Sequence, residues 1–141
     1  MILNRQKRVR VALPPLEKFA RRVRRELRLE GRELSICLVG DAEMTRLNKT
    51  YRGKQGPTDV LSFPASEEAA SRRASSKSLG DIAIAPMVAR RNAKRFGRTL
   101  PDELRILILH GVLHLMGYDH ESDSGQMERR ERLVRRRLDL E

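Results

Sequence analysis

The sequence predicts an α+β domain, or mixed α/β, built on one small sheet of about four strands with helices packed on it and a metal site on a buried helix. Three observations carry this. Short β-type apolar runs alternate with stretches of 3.6-residue period over 141 residues, the length of one domain. The third and fourth strand-like runs are separated by a polar stretch of low complexity, so the pattern is not a strict strand-helix alternation. Finally, the run from Glu103 to Met116 is apolar or glycine almost throughout and carries two histidines.

Taken in order, VRVAL (residues 9–13) alternates and reads as a first strand ended by Pro14 and Pro15. Leu16, Phe19, Ala20, Val23 and Leu27 then recur near the helical period, predicting an amphipathic helix closed by Gly31 with a mostly arginine outer face. ELSICLVG (33–40) is a compact apolar run suited to a buried strand, after which Asp41 is placed to cap a helix ending at Gly53. A turn at Gly56-Pro57 leads into VLSF, a third strand stopped by Pro64. Residues 65–78, rich in Ser, Ala and charge, have no core-forming period and read as a mobile surface loop. LGDIAIA resumes as a fourth strand, Pro86 opens a helix ended by Gly97, and Thr99 caps the apolar helix with Asp102 at the capping-box position. The last stretch, 122–140, reads as a helix with Met127, Leu133 and Val134 as sparse apolar contacts beside many arginines. Residues 1–141 are therefore read as a single metal-dependent hydrolase domain, for the reasons that follow.

Thirty Lys and Arg against nineteen Asp and Glu leave a net charge of +11. A surplus of that size favours a polyanionic partner, because each neutralised phosphate releases condensed counterions. No apolar run is long enough to span a bilayer and no export signal opens the chain, so a cytoplasmic location without membrane association is expected. Cys37 is the single cysteine, which excludes an internal disulfide, and inside LSICLV it reads as a small buried hydrophobe.

All three histidines lie in HGVLHLMGYDH, residues 110–120. His110 and His114 stand one helical turn apart, their Cβ atoms about 5 to 6 Å from each other on one face, and both can reach one ion. On a continuous helix His120 would lie roughly 9 Å further along and about 240° round. The motif therefore requires the helix to stop near Met116, and Gly117 is the residue type that ends helices in a left-handed turn. Three imidazoles without a Cys ligand suit a catalytic zinc site with an open position for water rather than a closed structural one. The i, i+4, i+10 spacing also occurs in zinc peptidases, but these place a Glu after the first histidine, where this chain has Gly111. Asp81 and Asp119 are candidates to orient an imidazole, and each is equally well explained as a strand-end or turn residue.

HGVLHLMGYDH resembles the signature of the YbeY family of bacterial rRNA maturation endoribonucleases. RGKQGPTDVLSFP (52–64) and LGDIAIA (79–85) are similar to that family's other characteristic blocks, in the same order, and the likeness covers most of residues 34–121. The resemblance implies a zinc-dependent, single-strand-specific endoribonuclease acting at the 3′ end of small-subunit 16S rRNA and in ribosome quality control, although imidazole ligands also suit other transition metals. It implies His110, His114 and His120 as metal ligands and Arg52 as the residue associated with activity. The implied partners are rRNA, the small ribosomal subunit and one of its proteins, with no DNA. The alternatives are a non-catalytic ribosome assembly factor holding a structural metal and, less favoured, a zinc peptidase. The Ser/Ala-rich insert and the arginine-rich first and last helices depart from the family pattern.

Overall fold

The structure is a computed structural model that describes residues 1–65, 78–118 and 124–140. Its elements run β1 (Ile2–Asn4), α1 (Leu13–Glu26), β2 (Glu33–Leu38), α2 (Asp41–Arg52), β3 (Val60–Pro64), β4 (Ser78–Ile84), α3 (Pro86–Phe96), α4 (Leu100–Leu115) and α5 (Gln126–Arg137). The four strands form one mixed sheet in the order β1-β2-β4-β3, parallel except for the antiparallel pairing of β3 with β4. This is the α+β architecture expected.

The first strand is a correction. Residues 9–13 are not a strand; β1 lies earlier, at Ile2–Asn4, and Pro14 and Pro15 open α1 instead of ending a strand. Proline suits the first helical turn, where the missing N–H has no partner to lose. The alternation of Val9, Val11 and Leu13 is satisfied without a sheet: buried Gln6 uses its side-chain amide to bond the N–H and C=O of Val9, at 2.9 and 2.8 Å. Val9 is thereby buried in a loop. The helix also ends sooner than expected, at Glu26, with Gly31 at φ +82° in the following turn.

Elsewhere the local signals hold. Gly53 and Gly97 end α2 and α3 in the left-handed conformation, and the Thr99 hydroxyl accepts from the Asp102 N–H at 3.2 Å at the start of α4. Glu103, buried in that first turn, pairs with Arg98 at 2.9 Å, fixing the entry of the helix. The loop expected over 65–78 lies outside the described residues except at its ends, where Ala65 donates to the Leu79 carbonyl and Ser78 opens β4.

Alternation along the strands assigns their side chains to two cores. Leu34, Ile36, Leu38, Ile82 and Ile84 face α1, α4 and α5 in the main core, whereas Val39, Leu61, Ala83 and Ala85 meet Met44 of α2 in a smaller one. Helix α4 is apolar all round because it lies in the middle of the larger layer, with Ile108, Leu109, Val112 and Leu113 fully buried. Among the described residues no helix is long and apolar enough to cross a membrane.

Candidate functional site

Helix α4 is set on the sheet through Gly111. A Cβ at this position would lie 2.8 Å from Cδ1 of Ile82 and 3.1 Å from its Cγ2, so any larger residue requires the Ile82 side chain to move. Ser62, the cross-strand partner of Ile82, donates from its hydroxyl to the Gly111 carbonyl at 3.1 Å. One antiparallel pair thus seats the helix by contact from one strand and by hydrogen bond from the other. The residue after His110 faces the sheet, so a side chain at that position would point at Ile82 and away from the cleft.

With Gly111 turned inward, His110 and His114 come out partly exposed beside β3. Their Nε2 atoms are 3.1 Å apart and the rings meet edge to face, centroids 4.7 Å from each other. Two nitrogens on a tetrahedral ion with bonds of about 2.0 to 2.1 Å would sit about 3.3 Å apart, so the pair fits a shared metal with almost no rearrangement. His110 Nδ1 lies 3.0 Å from Oε1 of Glu131 on α5. A carboxylate accepts, which places the ring proton on Nδ1 and leaves the Nε2 lone pair directed at His114. Glu131, which sequence reasoning did not single out, is thus the carboxylate seen beside His110 among the described residues.

Asp81 is corrected by the strand it occupies. It is exposed and neighbours Ile82, so its side chain leaves the sheet on the opposite face and lines a separate hollow with Arg24, Glu33 and Ser35. Asp119 and His120 lie outside the described residues; the helix does end at Met116, with Gly117 at φ +99°, as the motif demands. Among the described residues no group of three or more potential ligands is assembled, and the histidine pair is the part of the expected set that is on view.

Arg52 reaches the same place from the other face of the sheet. It is exposed at the end of α2, where Gly53 turns the chain at φ +64° and buried Asn48 ties the loop down by donating to the Gly56 carbonyl at 2.9 Å. Among the described residues it has no ion pair. Arg52, Tyr51, His110, His114 and Val60–Pro64 line one cleft of about 800 Å³. The floor is β3, the outermost strand on this side among the described residues: Ser62 points to the histidine helix and Phe63 to α2, where its ring meets Tyr51 edge to face at 5.0 Å. Residues from both faces converge because the sheet ends there.

The fold is shared with a solved protein of Thermotoga maritima, whose solution structure matches with a TM-score of 0.55 at 28% identity, covering 94% of this chain and 85% of that one. That likeness defines the class as a small mixed-sheet domain of the same architecture. The chain belongs to the YbeY endoribonuclease family, whose model, described as endoribonuclease YbeY, matches residues 1–139. Proteins of that name from Solibacter usitatus and Aquifex aeolicus are 44% identical over 127 residues and 42% identical over 129. These alignments cover 90% and 92% of this chain, and 80% and 83% of the relatives.

Proposed function

We propose that this protein is a zinc-dependent, single-strand-specific endoribonuclease that acts in the cytoplasm on rRNA of the small ribosomal subunit, at the 3′ end of 16S rRNA, and in ribosome quality control. The observation that carries the reading is the common cleft, which is lined by an exposed arginine and by two imidazoles spaced for one ion.

His110 and His114 would hold the metal together with His120, and a bound ion supplies Lewis acidity and an activated water. Glu131 holds the His110 ring in the tautomer a ligand needs. Arg52 can grip two phosphate oxygens in parallel and stabilise negative charge as it grows on phosphorus. The wider surface suits the same substrate. Arg22 of α1 donates to the carbonyl of Arg137 on α5, and Arg137 pairs with Glu26, so the two arginine-rich helices lie side by side. Arg21, Arg25, Arg132 and Arg136 are exposed on them, a basic surface suited to a phosphate backbone.

A purely structural metal is disfavoured by access: the side chain of His110 is 26% exposed to an open cleft, whereas structural ions are sealed by their ligands.

The test is cleavage of a single-stranded RNA copying the 3′ end of 16S rRNA by zinc-loaded protein. His114→Ala is expected to fall to background, and Arg52→Ala to lose about a hundredfold in kcat, the scale of removing one transition-state donor. Equal cleavage by wild type and His114→Ala would show a contaminating nuclease and end the proposal. Binding to small-subunit particles with no cleavage under any metal would establish the assembly-factor reading instead.

A further inference from the structure

The cleft contains an aromatic ring that the phosphate and metal chemistry leave unused. Tyr51 is 65% exposed, one of the few large apolar side chains on the described surface to be so. An aromatic left in water costs free energy, so its environment bears inspection. The ring is held rather than loose: Phe63 meets it edge to face, centroids 5.0 Å apart and planes at 71°. It stands on the last turn of α2, which Gly53 and Asn48 fix from below. The next residue is Arg52, and both line the cleft that contains His110 and His114.

We propose that Tyr51 is a stacking platform for an unpaired base of the RNA, and that it contributes to the preference for single strands. The proposal rests on the RNA reading above. Successive residues on a helix leave it in directions about 100° apart, so the Tyr51 ring and the Arg52 guanidinium are suited to different parts of a ligand. They can address the two ends of one nucleotide: the guanidinium takes the phosphate and the phenol ring takes the base. A base in a duplex has both faces covered by its neighbours and cannot stack on a protein ring without being extruded. An unpaired base offers its face freely. Every base has such a face, so the contact selects strandedness with little regard to sequence. Phe63 contributes by holding the platform at a fixed angle, which lowers the ordering cost of the contact.

The experiment uses the full chain with chelator present, so that binding is read without cleavage. The probes are short single-stranded oligoribonucleotides carrying one 2-aminopurine, moved through each position in turn. Wild type and Tyr51→Phe are expected to quench the fluorescence at one position. Tyr51→Leu, which keeps an apolar contact with Phe63 but has no π-face, should lose the quench and bind roughly tenfold more weakly. It should also narrow the ratio between single-stranded and duplex binding. Arg52→Ala should weaken binding while its complex still quenches. An unchanged melting temperature for Tyr51→Leu excludes a folding defect. Quenching by Tyr51→Leu equal to wild type, or none by wild type at any position, overturns the proposal. Quenching with no cleavage when zinc is restored would remove the ribonuclease reading and leave the stacking site standing; cleavage without quenching would do the reverse.

Discussion

The two faces of the sheet are covered unequally, and the site draws different parts from each. On one face α1, α4 and α5 bury a deep core, and the histidines rise from its middle on a helix whose neighbouring residues are almost inaccessible. On the other, α2 covers a thin core of Val39, Met44, Leu61, Ala83 and Ala85, and its last turn extends Tyr51 and Arg52 into water. Ligands that must meet one ion need fixed spacing, which close packing provides. Groups that meet a long flexible polymer need reach, and exposure at a helix end provides it. The contrast teaches that the deep face fixes positions, while the shallow face offers the exposed groups that the proposed reading assigns to substrate.

Disturbing the deep face should therefore cost the most. Gly111→Val would drive a branched side chain into Ile82 and lift α4 from β4. Overpacking of this kind costs about 2 kcal/mol, and the displacement separates the histidines from the cleft wall. The expected outcome is a lowered melting temperature together with loss of metal retention; a variant that keeps both would break the comparison.

Glu131→Gln comes next, because it changes the partner of a ligand and leaves the packing alone. A weaker acceptor beside His110 Nδ1 is expected to reduce metal affinity by about 10- to 100-fold. Competition with a chromophoric chelator measures this, and the melting temperature of the metal-free protein is expected to change far less than that of Gly111→Val. Unaltered affinity would show that the His110–Glu131 contact only joins α5 to α4.

The smallest effect belongs to the shallow face. Burial pushes the Cys37 thiol above its ordinary value, with Arg5 pulling the other way. Its reaction with iodoacetamide at mildly alkaline pH is expected to be slower than that of a free thiol. The sign for stability follows: the folded chain keeps a proton that the unfolded chain loses, so this contribution is complete below the ordinary thiol range and is lost as pH rises above it. Alkylation at the rate of the unfolded protein would show that the thin core opens readily.

The sequence disclosed the elements whose signals are local. Apolar β-formers marked β2 and β4, the Thr99 cap marked the start of α4, and the helical spacing of His110 and His114 placed two imidazoles on one face. Readings failed where a distant or side-chain contact decides. VRVAL alternates like a strand, yet the Gln6 amide pairs with the Val9 backbone in place of a neighbouring strand. Glu131 was missed because it is 21 residues from His110 in a helix crowded with charge. A signal was present: Met127, Glu131, Val134 and Leu138 fall at i, i+4, i+7 and i+11, so one carboxylate interrupts an otherwise apolar stripe. A buried-face acid of that kind needs a partner.

Edge strand β3 has a further consequence. Its pairing with β4 uses the main-chain groups of odd-numbered residues, as the Ala85–Asp59 and Ala65–Leu79 bonds show, and turns those of Ser62 outward, while the Val60 N–H is taken by Asp59 Oδ1 at 2.8 Å and Pro64 has none. Such a margin ordinarily invites another strand. Here any chain that extended the sheet would lie across Arg52 and the histidine pair. An added strand and an occupant of the cleft would therefore compete for the same ground.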